Sequence, residues 1–301
     1  MVQLRLGKIN NEERKFIPTK KDFFEKYLKS LKEIEEYELI QTYKDGYKYR
    51  CYNDNGNFKY TRNKKIGKIT EVIEIDENTF NSIIKSNGKY IKKTRKYFID
   101  GEFEIDVDFF SKPIEMLLVE VASIGKLPLK DYKPPYGFIE VTDNSRFENS
   151  KIYNGSIISN NAIIEGTDGV GKTTAIEGLL QKGIICRDRC MEVISVNMLF
   201  EISMEERTRK YQEYLKRIDK KVVFLINNDK EELERRINLR GKLSEFDEEA
   251  YAYNILYLDT FNYMKENNML EGKLFMVNCT GLSVDEVMDK IESIIIEGRK
   301  K

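Results

Sequence analysis

A chain of 301 residues and 35.5 kDa exceeds what one ordinary hydrophobic core fills, so two domains are expected. With 41% hydrophobic and 34% charged residues, a mean hydropathy of -0.54 and no run approaching ~18 apolar residues, the composition excludes a membrane protein. Fifty-one basic residues balance 51 acidic ones, so no whole-chain field draws the protein to nucleic acid or an anionic membrane, and any anion site must be local.

Histidine is absent, which removes the commonest general base and transition-metal ligand and leaves carboxylate, lysine, arginine and hard-cation chemistry. Mg²⁺, which favours oxygen ligands shared with substrate phosphates, fits that inventory. The opening MVQLRLGKINNEERKF lacks the apolar stretch and cleavage site of a secretory signal. The four cysteines show no repeated metal-ligand spacing, and the closest pair, Cys186 and Cys190, reads as buried thiols in a reducing cytosol. A soluble, cytoplasmic protein is expected.

In chain order, DFFEKYLKSLKEIEEY places apolar residues near helical spacing, with Thr19 or Asp22 available as a cap. The segments QTYKDGYKYRCY, NFKYTRNKK, KITEVIEI, KKTRKYFIDGEFEIDVDFF, EMLLVEVAS and GFIEVTD then alternate apolar or aromatic residues with charged ones, broken by Asp-Gly and Asn-Gly turns. A meandering antiparallel sheet with one early helix follows. Near NGSIISNNAIIEG the pattern changes to short apolar strands alternating with long helices, AIIEG, TTAIEGLLQK, KGIIC, SMEERTRKYQEYLKRI, VVFLIN and LFMVN among them. That rhythm predicts a mostly parallel sheet. The predicted domains are 1–155, an α+β antiparallel unit, and 156–301, an α/β unit.

The segment Gly166-Thr167-Asp168-Gly169-Val170-Gly171-Lys172-Thr173 matches G-x-x-x-x-G-K-[ST] after an apolar strand and at the start of a helix, the context that phosphate binding requires. Glycines let successive N–H groups point at phosphate oxygens, Lys172 reaches the β and γ phosphates, and Thr173 offers a hydroxyl to Mg²⁺. The nucleotide-binding set is Gly166, Thr167, Gly169, Val170, Gly171, Lys172, Thr173 and Thr174. A loop of this kind serves switches, motors and kinases alike, so the neighbouring residues must choose among them.

IIEGTDGVGKTT, the RDRC segment at 187–190, KKVVFLINNDKEELERRINLRGKLSEF and YAYNILYLDTFNYM together resemble the thymidylate kinase family. The resemblance implies that Asp168 faces the acceptor nucleoside, Asp188 helps hold the magnesium water shell, Arg189 contacts transferred phosphate, and Arg236 and Arg240 close over the triphosphate from a lid. Phosphoryl transfer needs alignment and charge neutralisation, which such arginines supply. The family's long acceptor-gripping insertion between Lys172 and Asp188 is missing, and Cys190 replaces the usual aromatic. Donor binding therefore follows from the resemblance, whereas thymidylate as acceptor does not. A homodimer is a further expectation it carries.

In the N-terminal half, strand-borne charges two residues apart fall on one face of a sheet: Glu13 with Lys15, Lys48 with Arg50, Glu104 with Asp106. Taken in order, NEERKF, KTRKYF, EIDVD, VEVAS and IEVTDNSRFEN resemble the CYTH or triphosphate tunnel family of closed barrels, which hold a triphosphate and divalent metal among inward-facing charges. The resemblance implies that Lys15, Lys48, Arg50, Arg95 and Lys151, joined by one of Arg62 and Lys64, grip phosphates. It implies that Glu13, Glu71, Asp106 and Glu120 hold metal or attacking water. Asn11 stands where the opening motif has its first glutamate and Ala122 where the metal-binding strand has its second acid, leaving a poorer Mg²⁺ site.

The whole-chain expectation is a Mg²⁺-dependent P-loop phosphotransferase that uses ATP or a related nucleoside triphosphate, with a nucleotide or nucleic-acid 5′ end as acceptor and no membrane partner. One alternative is triphosphate hydrolysis in the tunnel (nucleotide, inorganic or RNA 5′-triphosphate), with the P-loop unit regulating it. The other is a nucleotide-sensing module without turnover.

Overall fold

The computed structural model describes residues 12–66, 69–189, 201–217, 220–241, 245–269 and 272–297. The chain divides into two compact units, Met1–Ile158 and Ser159–Lys301. Asn11 and Cys190 lie outside the described residues. Among the described residues no helix is long and apolar enough to cross a membrane.

The first unit is built on one nine-stranded antiparallel sheet. Its strands are β1 (Arg14–Pro18), β2 (Lys32–Lys44), β3 (Tyr47–Asp54), β4 (Asn57–Ile66), β5 (Ile69–Glu74), β6 (Ile91–Asp100), β7 (Phe103–Lys112), β8 (Met116–Ser123) and β9 (Phe138–Glu140), in the order β5-β4-β3-β2-β6-β7-β8-β1-β9. Two-residue turns fix the registers. Asp45-Gly46 and Asn55-Gly56 take positive φ at both central residues, which suits the right-handed twist of a hairpin, and pair Lys44 with Tyr47 and Asp54 with Asn57.

Directly opposed residues share a face. Following the ladders, Lys15, Glu120, Asp106, Asp108, Arg95, Lys93, Gln41, Arg50 and Lys48 fall on one face. The opposite parity carries Phe16, Phe98, Ile105, Val107, Val119 and Val121, all buried in one cluster with Phe24 of α1 (Lys21–Ser30). Farther along the sheet, Phe80 of α2 (Glu77–Asn87) covers Tyr49 and Cys51. The helices thus cap the apolar face and leave the charged face to itself. Among the described residues no ladder joins β5 to β9, so the sheet is not closed by hydrogen bonds between those end strands.

Two sequence expectations change here. The early helix stops at Ser30, and Lys32–Lys44 is strand β2, because 33–41 pair along β6 in the middle of the sheet and tertiary pairing outweighs helix propensity. Neither expected cap is used: Lys20 is the N-cap residue, and the Thr19 hydroxyl donates to the Gly137 carbonyl. Helix α2 was not anticipated, although Asp76, which accepts from the Thr79 amide, and left-handed Gly88 are its two end signals.

The second unit holds four parallel strands, β10 (Ser159–Glu165), β11 (Ile184–Asp188), β12 (Lys221–Ile226) and β13 (Leu274–Asn278), in the order β11-β10-β12-β13. Its helices are α4 (Lys172–Gln181), α5 (Met204–Arg217), α6 (Lys230–Arg240), α7 (Ala250–Glu266) and α8 (Val284–Glu297), while α3 (Asn149–Tyr153) ends the first unit. Tyr253, Tyr257, Phe261 and Met264 of α7 pack on Phe224 and Ile226 of β12 and Tyr211 of α5. Cys186 and Cys279 are buried, unpaired thiols of this unit, as Cys51 is of the first. Strand β10 lies between β11 and β12, so the chain leaves it at the point where the strand order reverses, where open parallel sheets form a crevice at their carboxyl ends.

Candidate phosphate-binding sites

The crevice of the second unit is occupied by the glycine-rich loop. Gly166 has φ +139°, and a Cβ there would sit 2.5 Å from the Leu225 carbonyl oxygen of β12. Gly169 (φ +78°) lies against Ile237 of α6, and Gly171 (φ +100°) is the N-cap residue of α4. Only glycine takes these angles at low cost, so the sequence folds the loop back onto the helix N-terminus, where the first amides have no intrahelical partner. Buried Val170 anchors the loop, and the Thr167 hydroxyl donates to the Ala250 carbonyl at 2.8 Å.

Lys172 is buried at the start of α4, its Nζ donating to the Thr167 carbonyl at 2.6 Å and lying 3.8 Å from Asp168 Oδ1. Arg189, just past β11 and left-handed at φ 64°, pairs its guanidinium with the same Asp168 carboxylate. Burial works against the Arg189 charge, but Tyr257, Asp168, Asp188 and Glu165 together raise its pKa. Asp188 ends β11 as a buried acid, while Thr173 and Thr174 are exposed on the first turn of α4. Arg236 of α6 bonds Glu232 at 2.7 Å, and its Nη1 is 3.9 Å from where a Gly171 Cβ would be. Arg240 instead pairs with buried Asp247. The structure therefore brings Lys172, Asp168 and Arg189 together with Arg236 at the loop, and ties Arg240 to its own acid. Thr173 and Asp188 present hydroxyl and carboxylate oxygens, hard donors of the kind Mg²⁺ takes together with phosphate.

Replacing Gly166 tests how closely this loop is built. Gly166→Ala is expected to cost more than ~1 kcal/mol, because the new methyl meets a backbone carbonyl at an angle alanine disfavours. A lowered thermal midpoint together with weakened ATP binding is the expected reading, by calorimetry and titration.

The charged face of the first unit has two chemically different halves. On β6, β7 and β8, Arg95 donates from Nε to Asp108 Oδ1 at 2.6 Å, from Nη2 to Asp108 Oδ2 at 2.6 Å and Glu120 Oε2 at 2.7 Å, and from Nη1 to Asp106 Oδ2 at 2.7 Å. Lys93 pairs with Asp108 and donates to Asn149 of α3 at 3.1 Å, and Lys15 of β1 is 3.3 Å from Glu120. Burial lowers the Lys93 pKa against the pull of Asp108, whereas Asp106, Asp108 and Glu120 outweigh burial and hold Arg95 charged.

Strand β3 carries cations without carboxylate partners. The Arg50 guanidinium bonds the Gln41 carbonyl and the Tyr52 hydroxyl, each at 3.0 Å. Lys48 makes no hydrogen bond or ion pair among the described residues. Burial first, then Arg50, Lys93 and Arg95, against Glu120, push its pKa down to about 7.

Other expected tunnel residues lie elsewhere. Lys48 and Arg50 face Asn63 and Thr61, so Arg62 and Lys64 take the opposite parity and lie over the Tyr47 ring at 4.7 and 4.9 Å. Glu71 faces Lys64 on that side and is exposed. Lys151 is exposed on α3, and Glu13 precedes β1. Among the described residues no group of three or more acidic or cysteine side chains gathers as a metal cage. Of the four expected metal ligands, Asp106 and Glu120 are bridged by Arg95, so the first unit does not fit a Mg²⁺ site. Lys93 and Asp108 were missed by sequence reasoning. The turn at Gly101 pairs Asp100 with Phe103, and counting back from it puts Asp108 opposite Arg95.

No protein-family model and no curated protein matches the chain. Among solved structures, an inorganic triphosphatase is 22% identical, covers 47% of this chain and 93% of its own, and superposes with a TM-score of 0.34. A conserved hypothetical protein from Pyrococcus furiosus is 16% identical, covering 39% of this chain and 81% of its own at a TM-score of 0.28.

Proposed function

We propose that the second unit is a P-loop phosphotransferase that binds ATP or a related nucleoside triphosphate and moves its γ-phosphoryl group to a nucleotide or nucleic-acid 5′ end. The observation that carries this reading is the convergence of Lys172, which is buried, and of partly buried Arg189 and Arg236 on a loop bent by three left-handed glycines at the reversal point of a parallel sheet. Loop amides and the α4 N-terminus take the donor phosphates. Lys172 leaves the Thr167 carbonyl for a terminal phosphate oxygen, and Arg189 and Arg236 neutralise charge that spreads over the transferred group. Thr173 and Asp188 would hold Mg²⁺ or its waters, and the ion would supply further neutralisation of phosphate charge. Incubation with γ-labelled ATP and a panel of nucleosides, nucleotides and 5′-hydroxyl RNA tests the proposal. Label on one acceptor supports it, whereas release as free phosphate points to hydrolysis.

For the first unit we propose a triphosphate-binding face, on the strength of Lys48 and Arg50, two cations of one strand with no carboxylate partner among the described residues. Phosphate binding favours charged Lys48, so the bound state raises its pKa and takes up a proton. Affinity for inorganic tripolyphosphate is then expected to fall as pH rises through about 7, the value to which burial and the charges of Arg50, Lys93 and Arg95 lower Lys48 against Glu120. Titration calorimetry between pH 6 and 9 in buffers of different ionisation enthalpy reads both effects, and a pH-independent affinity would remove Lys48 from the site.

A further inference from the structure

We propose that the charged face of the first unit is a metal-independent polyphosphate receptor, in which the Arg95 guanidinium takes the place of a divalent cation among Asp106, Asp108 and Glu120. The inference rests on the reading of this face as triphosphate-binding and adds how the ligand is held.

The argument is one of charge segregation. A metal is needed in an acidic phosphate site because carboxylates and phosphates repel each other. Here every carboxylate of the trio already has a cation: Arg95 bonds all three, Lys93 reinforces Asp108 and Lys15 reinforces Glu120. The trio therefore repels an incoming anion far less than free carboxylates would. A divalent cation entering between them would have to evict the guanidinium, leaving a buried charge uncompensated. The group that the fold does leave uncompensated is cationic. Arg50 is held only by neutral Gln41 and Tyr52, and Lys48 makes neither a hydrogen bond nor an ion pair among the described residues. Two half-buried cations on one strand, two residues apart and on the same side, are matched by adjacent phosphoryl groups of a linear polyphosphate. The hydroxyls of Tyr43 and Tyr52 and the Gln41 amide on the same face supply neutral hydrogen-bonding groups.

The test is titration calorimetry of the full chain with inorganic tripolyphosphate, in EDTA and in Mg²⁺, using the unaltered protein and the Lys48→Met/Arg50→Met and Lys172→Ala variants, with circular dichroism confirming the fold. Because Mg²⁺ also binds the free ligand, affinity in EDTA is expected to equal or exceed that in Mg²⁺. Compared in the Lys172→Ala background, which removes the P-loop lysine's own contribution to phosphate binding, it should fall by at least about tenfold when the β3 pair is replaced. Binding that appears only with Mg²⁺ but is lost in the β3 variant overturns metal independence and leaves the triphosphate-binding reading standing. Binding absent under both conditions, or indifferent to replacement of the β3 pair, overturns that underlying reading. Should the double variant fail to fold, Lys48→Met alone, which keeps a stem of similar length, carries the same comparison.

Discussion

Lys172→Ala is expected to lower the rate of label transfer from γ-labelled ATP by about 10²–10³, the usual scale for removing one charge-stabilising donor from a preorganised site. The side chain is buried, so its ammonium works where water does not dilute it, and its present acceptor, the Thr167 carbonyl, lies within the loop that receives the phosphates. Arginine should not substitute. The Lys172 site accommodates a compact ammonium beside Asp168, and a guanidinium would collide with the loop or displace Arg189 from the same carboxylate. A Lys172→Ala protein that transfers label within about twofold of the parent rate would end the phosphotransferase reading, since that change is well inside what an exposed, uninvolved residue produces.

The second large effect is on stability. Arg95→Ala is expected to destabilise the first unit by about 3–5 kcal/mol, because removing one partner of a buried ionic network leaves the others uncompensated. Asp106 and Asp108 are almost wholly inaccessible and Glu120 nearly so, and all three lose a bond at once. Two controls separate this from lost packing. Adding Asp108→Asn to Arg95→Ala should restore part of the stability, the non-additivity expected when an uncompensated charge is removed. Millimolar Mg²⁺ should raise the midpoint of Arg95→Ala selectively, since the vacated space between three carboxylates becomes a cation site. Denaturant melts of the parent, Arg95→Ala, Asp108→Asn and the double variant measure all of this, and equal Mg²⁺ responses in parent and Arg95→Ala would show that the guanidinium holds no metal-like position.

How much of this was legible in the sequence differs between the two units for a physical reason. The Gly166–Thr173 loop is a local object: glycine angles and a helix start determine it, and both are written in consecutive residues. The charged face is assembled by pairing between strands, so its membership depends on register. Parity within a strand was readable, as Lys48 with Arg50 shows, yet one of Arg62 and Lys64 was expected beside them although the ladder gives Asn63 and Thr61. The Asn55-Gly56 turn contained the answer, because a two-residue hairpin joining Asp54 to Asn57 fixes every later pair. The same count from Gly101 yields Asp108 as the partner of Arg95. Strand β2 was hidden differently: KEIEEYELI is rich in helix-forming glutamate, and its strand state comes from β3 and β6 on either side of it.

That split of the sheet into a hydrocarbon parity and an ionic parity bears on how its strands find one another. A one-residue slide of β6 along β7 would turn Lys93 and Arg95 toward Phe24 and Val119 and expose Phe98 to acids. Misalignment is therefore penalised twice, by stranded charge on one side and by wetted aromatics on the other. Neutralising the ions should blur strand alignment even where every greasy side chain is kept.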